Sequence, residues 1–167
     1  MQKLYVESRL PVNPEVAWDI FESDAFRDRL REHTNMESEV LEDRDEGTVN
    51  IRKIKYVSGR ELPGMVAKAL GSKHLSYVQT NHFDTAKSRL DWVVELPMLG
   101  DRVTVEGFTL IEPASHGSRR VVDGRIEVKM RLIGGQIEKA VVGEFEKSMR
   151  QAVDIALEMM RERGSDA

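Results

Sequence analysis

The spacing of apolar residues changes along the chain and divides it into strand-like and helix-like segments. Apolar and polar residues alternate over positions 3–8, which predicts a strand, and apolar residues recur three or four apart over positions 14–30, which predicts two short helices. Between positions 36 and 133 the alternation returns and predicts six strands. Positions 136–163 again have a helical period, so the predicted order is one strand, two helices, six strands and one long helix.

One segment interrupts the six strands. The stretch ELPGMVAKALG (61–71) follows the third strand of the chain and is longer than a plain hairpin turn. Its apolar residues Leu62, Val66, Ala69 and Leu70 indicate a short helix that ends at Gly71. We therefore expect an extra short helix after the third strand.

The last helix predicts where the core lies. Its apolar stripe spans positions 137–160 and lies opposite charged residues such as Glu138 and Glu144, which we expect on the solvent side. A helix of that length extends about 40 Å, so its stripe needs the broad apolar face that only the sheet provides. Gly134 and Gly135 come just before it, and we expect them to supply the backbone angles of a sharp turn.

Composition narrows the class of protein. The chain has 167 residues, of which 40% are hydrophobic and 32% are charged, and this fits a single globular domain over 1–167 with a disordered tail at 164–167. No apolar run approaches the ~20 residues of a membrane span. The net charge of -4 disfavours nucleic acid, and the absence of cysteine fits a reducing cytoplasm. We expect a cytoplasmic monomer.

Two segments carry a family resemblance. LPVNPEVAWDIFESDAFRDRL (10–30) and VKMRLIGGQIEKAVVGEFEKSM (128–149), in the predicted element order, resemble the helix-grip fold of the START-like (SRPBCC) superfamily. That superfamily includes pollen allergens of the Bet v 1 type, polyketide cyclases and lipid-transfer domains. The LPG segment and the GG-x-x-E helix start are similar to an uncharacterised bacterial branch. The resemblance implies an α+β fold in which a curved antiparallel seven-stranded sheet wraps around the C-terminal helix and leaves a cavity.

The resemblance, with the apolar helix stripe, predicts that the cavity binds a hydrophobic or amphipathic small molecule such as a lipid, an isoprenoid or a polyketide. Trp92 and Val94 share a strand face that should point to the helix. The phase of the strand around Phe108 is ambiguous, because Gly107 is typical of a bulge. The residues predicted to line the cavity are Tyr56, Met65, Tyr77, Trp92, Val94, Phe108, Met130, Ile137, Val141, Phe145 and Met149.

Two other functions stay open at this point. A cyclase or dehydratase needs a general acid or base inside the cavity, and Tyr77, His82, Asp91 and Glu95 are the candidates. A protein-interaction module would instead have a filled core. The sequence contains no nucleophile elbow, no phosphate-binding loop and no metal-ligand spacing. We therefore predict no catalytic residue, no metal and no cofactor, and consider an enzyme the less favoured class.

Overall fold

The computed structural model describes residues 1–165. Seven strands and four helices follow one another in the predicted order, with a 3-10 turn at Gly100–Arg102. Their bounds are β1 (Gln2–Leu10), α1 (Pro14–Phe21), α2 (Asp24–Thr34), β2 (Glu37–Glu46), β3 (Val49–Glu61), α3 (Gly64–Leu70), β4 (His74–Asp84), β5 (Arg89–Glu95), β6 (Val103–Ala114), β7 (Gly117–Val128) and α4 (Gly134–Ser165). Helix α4 contains the first part of the predicted tail, and residues 166–167 lie outside the described residues.

The strands form one antiparallel sheet around the C-terminal helix. Its order is β1-β7-β6-β5-β4-β3-β2, so the first strand pairs with the last and every other pair follows the chain. Helix α4 packs against β1 and β7 on the inner face, and α1 and α2 also contact it. This arrangement confirms the predicted α+β helix-grip fold, including the short helix α3 after the third strand.

Local sequence signals place the two short helices at one end of the sheet. The Asn13 side chain accepts a hydrogen bond from the backbone N–H of Val16 at 2.9 Å and caps α1, which begins at Pro14. The Ser23 hydroxyl accepts the N–H of Phe26 at 3.1 Å and caps α2. Because α1 ends one residue before Glu22 and Ser23 already caps the next helix, Glu22 is held at the junction between the helices.

The turn before α4 differs from the prediction. Gly134 and Gly135 are already the first residues of α4, and the left-handed angle belongs to the fully exposed Leu132, at φ 67°. Gly134 is needed for a different reason, because a Cβ atom there would lie 2.7 Å from the backbone oxygen of Val128. A Cβ at Gly135 would meet open space. Close approach of the helix start to β7, and not backbone angle, therefore requires a glycine at 134.

Two carboxylates of α4 that we expected in solvent are buried. Glu138 is 5% exposed and Glu144 is 7% exposed. Oε2 of Glu138 accepts the backbone N–H of Val128 at 2.8 Å, and its Oε1 lies 3.0 Å from the ammonium group of Met1. Amphipathic spacing missed these positions because each buried carboxylate is satisfied by partners distant in the sequence, which spacing within the helix does not reveal.

Glu144 belongs to a polar network that joins β3 to α4. Its carboxylate accepts hydrogen bonds from the Ser58 hydroxyl at 3.0 Å and from Nε of Arg60 at 3.2 Å. The remaining nitrogens of Arg60 donate to Gln151 at 2.6 Å and to Ser148 at 2.9 Å. A buried carboxylate paired with a half-buried arginine that has this many partners fixes the helix against the strand.

Candidate functional site

A cavity of about 140 Å³ lies between the sheet and α4, at the end where α1 and α2 meet. Of its fifteen lining residues, six are aromatic, four are other apolar residues and five are polar. The apolar lining consists of Trp18, Phe21, Phe26, Tyr56, Leu90, Trp92, Val94, Phe145, Met149 and Ala152. Such a wall favours a flat or compact apolar group.

Trp92 has its place in the wall because two glycines make room for it. Residue 92 of β5 pairs with Gly107 of β6, and Gly107 pairs in turn with Gly124 of β7. A Cβ at Gly107 would lie 2.6 Å from Cζ2 of the indole, and one at Gly124 would lie 2.5 Å from its Cη2. The register between β6 and β7 is continuous at this point. Gly107 therefore accommodates the tryptophan, and β6 has no bulge at this position.

The cavity also has polar groups, which come from both the sheet and the α1–α2 junction. These are Glu22, Gln79, Asn81, Thr109 and Arg120. Nε2 of Gln79 donates to Oδ1 of Asn81 at 2.8 Å, so the two amides orient each other. The site is thus amphipathic, with an aromatic wall and a charged part.

Arg120 is the cation of this charged part. Its Nε and Nη1 atoms are buried and have no hydrogen-bond partner among residues 1–165. The guanidinium lies over the ring of Phe21, 4.4 Å from the ring centroid, in a cation–π contact. Burial lowers the pKa of Arg120 to about 10, so the group stays charged at neutral pH.

Glu22 is the anion of the charged part, and it has a partner. Nη1 of Arg52 lies 3.4 Å from Oε2 of Glu22 and donates to the Glu22 backbone oxygen at 3.2 Å. Nε of the same arginine contacts Asp43 at 3.2 Å. Burial raises the pKa of the Glu22 carboxyl, while the positive charge of Arg52 acts in the opposite direction. Arg52 therefore lies on the inner side but is compensated within the protein.

Three aromatic rings connect the cavity to the core. The ring of Tyr56 lies 5.3 Å from that of Tyr77, which makes an edge contact with Phe145 at 5.0 Å. Burial raises the pKa of Tyr56 to about 12, so its hydroxyl is neutral at physiological pH. Tyr56 is therefore an uncharged lining residue at that pH.

A surface groove of about 630 Å³ adjoins the cavity, and both include Trp18 and Glu22 in their linings. The groove runs between α1 and the β4–β5 turn. Nε1 of Trp18 donates to the Ser88 hydroxyl at 2.7 Å, and its ring packs 4.6 Å from that of Phe83. Trp18 and Glu22 thus separate the cavity from the groove.

The structure brings five of the predicted lining residues to the cavity and places four others in or against the core. Tyr56, Trp92, Val94, Phe145 and Met149 line the cavity. Tyr77, Ile137 and Val141 are buried in the core cluster, and Met130 packs against that cluster from its edge.

Met65 and Phe108 lie away from the cavity, contrary to expectation. Met65 is 61% exposed, because α3 turns Val66 and Leu70 to the core. Phe108 stands on the outer face of β6, where the guanidinium of Arg89 covers its ring at 4.2 Å. The inner position next to it belongs to Thr109, so the strand phase is opposite to the one that places Phe108 inside.

Sequence reasoning missed Arg120 and Glu22, and only one of them carried a signal. Arg120 has the same phase in β7 as Val122 and Ile126, which are fully buried, so it is the cation on the apolar face of that strand. Glu22 follows the last residue of α1, and its direction depends on how α1 packs on the sheet. No periodicity in the sequence fixes that packing.

The groups considered for catalysis do not converge. His82, Asp91 and Glu95 are exposed, whereas Tyr77 is buried in the core. Within residues 1–165 no three His, Asp or Glu side chains come together as metal ligands. None of the helices in that range is long and apolar enough to cross a membrane.

Solved structures share this architecture at low sequence identity. The protein TTHA0849 from Thermus thermophilus is 20% identical with a TM-score of 0.62, and the alignment covers 97% of this chain and 96% of that one. Ara h 8.0201, a Bet v 1 homologue, is 14% identical with a TM-score of 0.63 and coverage of 94% and 98%. A START superfamily protein from Mycobacterium smegmatis is 16% identical with a TM-score of 0.59 and coverage of 95% and 97%. The protein therefore has the START-like fold that the resemblance implied.

The sequence also places the chain in a particular family. The model of the family described as "Protein of unknown function (DUF2505)" matches residues 6–159, and the chain belongs to this family. None of the curated proteins matches the chain.

Proposed function

We propose that the protein binds a hydrophobic or amphipathic small molecule in the cavity between the sheet and α4. The observation that carries this proposal is the cavity itself, about 140 Å³ in volume and walled by six aromatic side chains from α1, α2, β3, β5 and α4. Aromatic side chains that converge on a concave pocket, with a few polar groups among them, are typical of a small-molecule binding site.

The size of the cavity limits which ligands can fit. An apolar cavity of about 150 Å³ holds one benzene molecule, so this cavity fits about one ring. A long lipid chain would need further space, and the adjoining groove of about 630 Å³ is the nearest place for it. Within the predicted group of lipids, isoprenoids and polyketides, the volume favours a ligand whose buried part is compact.

The other functions have less support. The cyclase hypothesis needs catalytic groups inside the cavity, and three of its four candidates face solvent. Glu22 is the carboxyl that does line the cavity, and its pKa is raised by burial, so an acid–base role would depend on it. An interaction module with a filled core is disfavoured by the open volume. A cytoplasmic location and a monomeric state stay part of the proposal, supported by the absence of cysteine and by the charge of the chain.

A native mass spectrum of the purified protein tests the proposal first, because a bound apolar compound adds a mass that denaturation removes.

Two matched variants then test the place of binding. Ala152 and Ala140 both pack on α4 against the core, but only Ala152 lines the cavity. We expect Ala152→Leu to weaken the binding of benzyl alcohol at least tenfold and Ala140→Leu to leave it unchanged. Equal binding by both variants would place the ligand elsewhere.

A further inference from the structure

We propose that the ligand is an anion, with a carboxylate that pairs with Arg120 and a compact apolar group that packs among the aromatic rings of the cavity. This inference rests on the proposed function and names the chemical class of its ligand. It starts from a charge that the protein desolvates without supplying the usual partners.

Arg120 has buried N–H donors that lack acceptors, and this is energetically unfavourable. A guanidinium has five N–H donors, and a buried donor without an acceptor is unfavourable. Nε and Nη1 of Arg120 are in this state within the described part of the chain. By contrast, the inward-reaching Arg60 donates to four different acceptor groups of α4. Helix α4 therefore supplies acceptors for the structural arginine, whereas the buried donors of Arg120 have none.

Glu22, the carboxylate that lines the same cavity, has a different contact partner. Glu22 lines the same cavity, but its carboxylate contacts Arg52 at 3.4 Å and acts on Arg120 only through space. Arg52 in turn also contacts Asp43. Glu22 and Asp43 thus both contact Arg52, and neither accepts a hydrogen bond from Nε or Nη1 of Arg120. These two donor groups of Arg120 are left for a group that enters the cavity.

The shape of the guanidinium and of the cavity around it indicates which anion would fit. The guanidinium is planar, and its N–H donors match the two oxygens of a carboxylate. The Arg120 guanidinium already packs over the Phe21 ring, 4.4 Å from the ring centroid. Trp92 and Phe145 line the same small cavity, so a ring attached to the carboxylate would contact aromatic walls. Benzoate has this combination of size, ring and charge.

The test compares benzoate with benzyl alcohol, a neutral molecule of nearly the same size. Both are titrated into the full-length protein by calorimetry, with the fluorescence of the two tryptophans as a second readout. We expect the wild type to bind benzoate at least tenfold more tightly than benzyl alcohol. Arg120→Met should lose at least tenfold in affinity for benzoate and keep its affinity for benzyl alcohol.

Two further variants separate the charge of Arg120 from other effects. Arg119 is the next residue of β7, points outward and pairs with Glu7 at 2.6 Å, so Arg119→Met should leave the affinities for both probes unchanged. Arg120→Lys keeps the charge but not the planar donors, and should retain part of the preference for benzoate. If Arg120→Met does not fold, the wild type and Arg120→Lys still decide the question.

The outcomes separate this inference from the proposed function. Equal binding of benzoate and benzyl alcohol by the wild type would overturn the anion site and leave the hydrophobic cavity intact. The same holds if Arg120→Met binds benzoate as tightly as the wild type does. If the wild type binds neither probe, the proposed function and this inference both fail.

Discussion

Arg60 and Arg120 reach the inner side of the same sheet, yet their surroundings are opposite. Arg60 connects β3 to α4 through Glu144, Ser148 and Gln151. Arg120 faces a cavity and stacks on Phe21, and two of its nitrogens have no acceptor anywhere in residues 1–165. The same side chain thus completes the structure in one region and leaves an unused donor in the other. On our proposal Arg60 is a structural charge and Arg120 is a binding charge, and variants at and around the two positions separate these roles.

The largest expected effect is at the boundary between the two regions. Phe145 lines the cavity and makes an edge contact with Tyr77, while the preceding residue, Glu144, belongs to the Arg60 network. Phe145→Ala should lower the free energy of unfolding by about 3 kcal/mol, at the low end for such a change because open volume already lies beside the ring. Urea unfolding measures it. A loss below about 1 kcal/mol would mean that Phe145 is not packed as described.

The next effect removes the structural arginine. Arg60→Met should lower the free energy of unfolding by about 2 kcal/mol, because Glu144 would keep only the Ser58 hydroxyl as a side-chain partner. Arg125, an exposed arginine 2.7 Å from Glu106, provides the control. Arg125→Met should change stability by less than about 0.5 kcal/mol. Similar losses for both variants would show that the network contributes no more than a surface ion pair.

A smaller effect, in the opposite direction, is expected for the cavity arginine. Arg120→Met should leave the ligand-free protein unchanged or more stable by up to about 1 kcal/mol, because it replaces a desolvated charge by an apolar side chain of similar length. Thermal unfolding of Arg120→Met and Arg60→Met under the same conditions compares the two variants directly. If Arg120→Met destabilises the protein as much as Arg60→Met does, both arginines are structural and the contrast fails.

The smallest effect is a change in pH dependence at Glu22. Burial raises the pKa of Glu22 above its ordinary value of 4.5, so the folded state binds this proton more tightly than the unfolded state. The contribution of this proton to the free energy of unfolding is fully present below pH 4.5 and is lost as the pH rises through the folded-state pKa of Glu22. The unfolding free energy of Glu22→Gln, measured relative to that of the wild type, should therefore increase as the pH rises. A difference that stays constant with pH would contradict the raised pKa.

Most of the fold could be predicted from the sequence, because each element carries its own period and its own stop signals. The caps at Asn13 and Ser23 and the αL residue Gly71 lie where the spacing indicates helix ends. The turn before α4 was harder, since the left-handed residue is Leu132 and a leucine gives no such signal. Local rules succeed where the local sequence alone determines the backbone.

The candidate site was less predictable, because its residues come together only through packing. The alternation of β5 placed Trp92 and Val94 correctly on the inner face. The phase of β6 was undecidable, since the role of Gly107 depends on the tryptophan of the neighbouring strand. Arg120 could have been found by extending the alternation of β7 towards its start. Glu22 could not, because its position depends on how α1 meets the sheet.

A crystal structure of the protein with bound benzoate would show directly whether Arg120 holds the anion. We expect density for the ring between Trp92 and Phe145, with the carboxylate oxygens about 2.7–2.9 Å from guanidinium nitrogens of Arg120. Helix α4 and the Arg60 network should not move. Benzoate bound with its carboxylate away from Arg120, or only in the outer groove beside Trp18, would show that Arg120 is not the anion site.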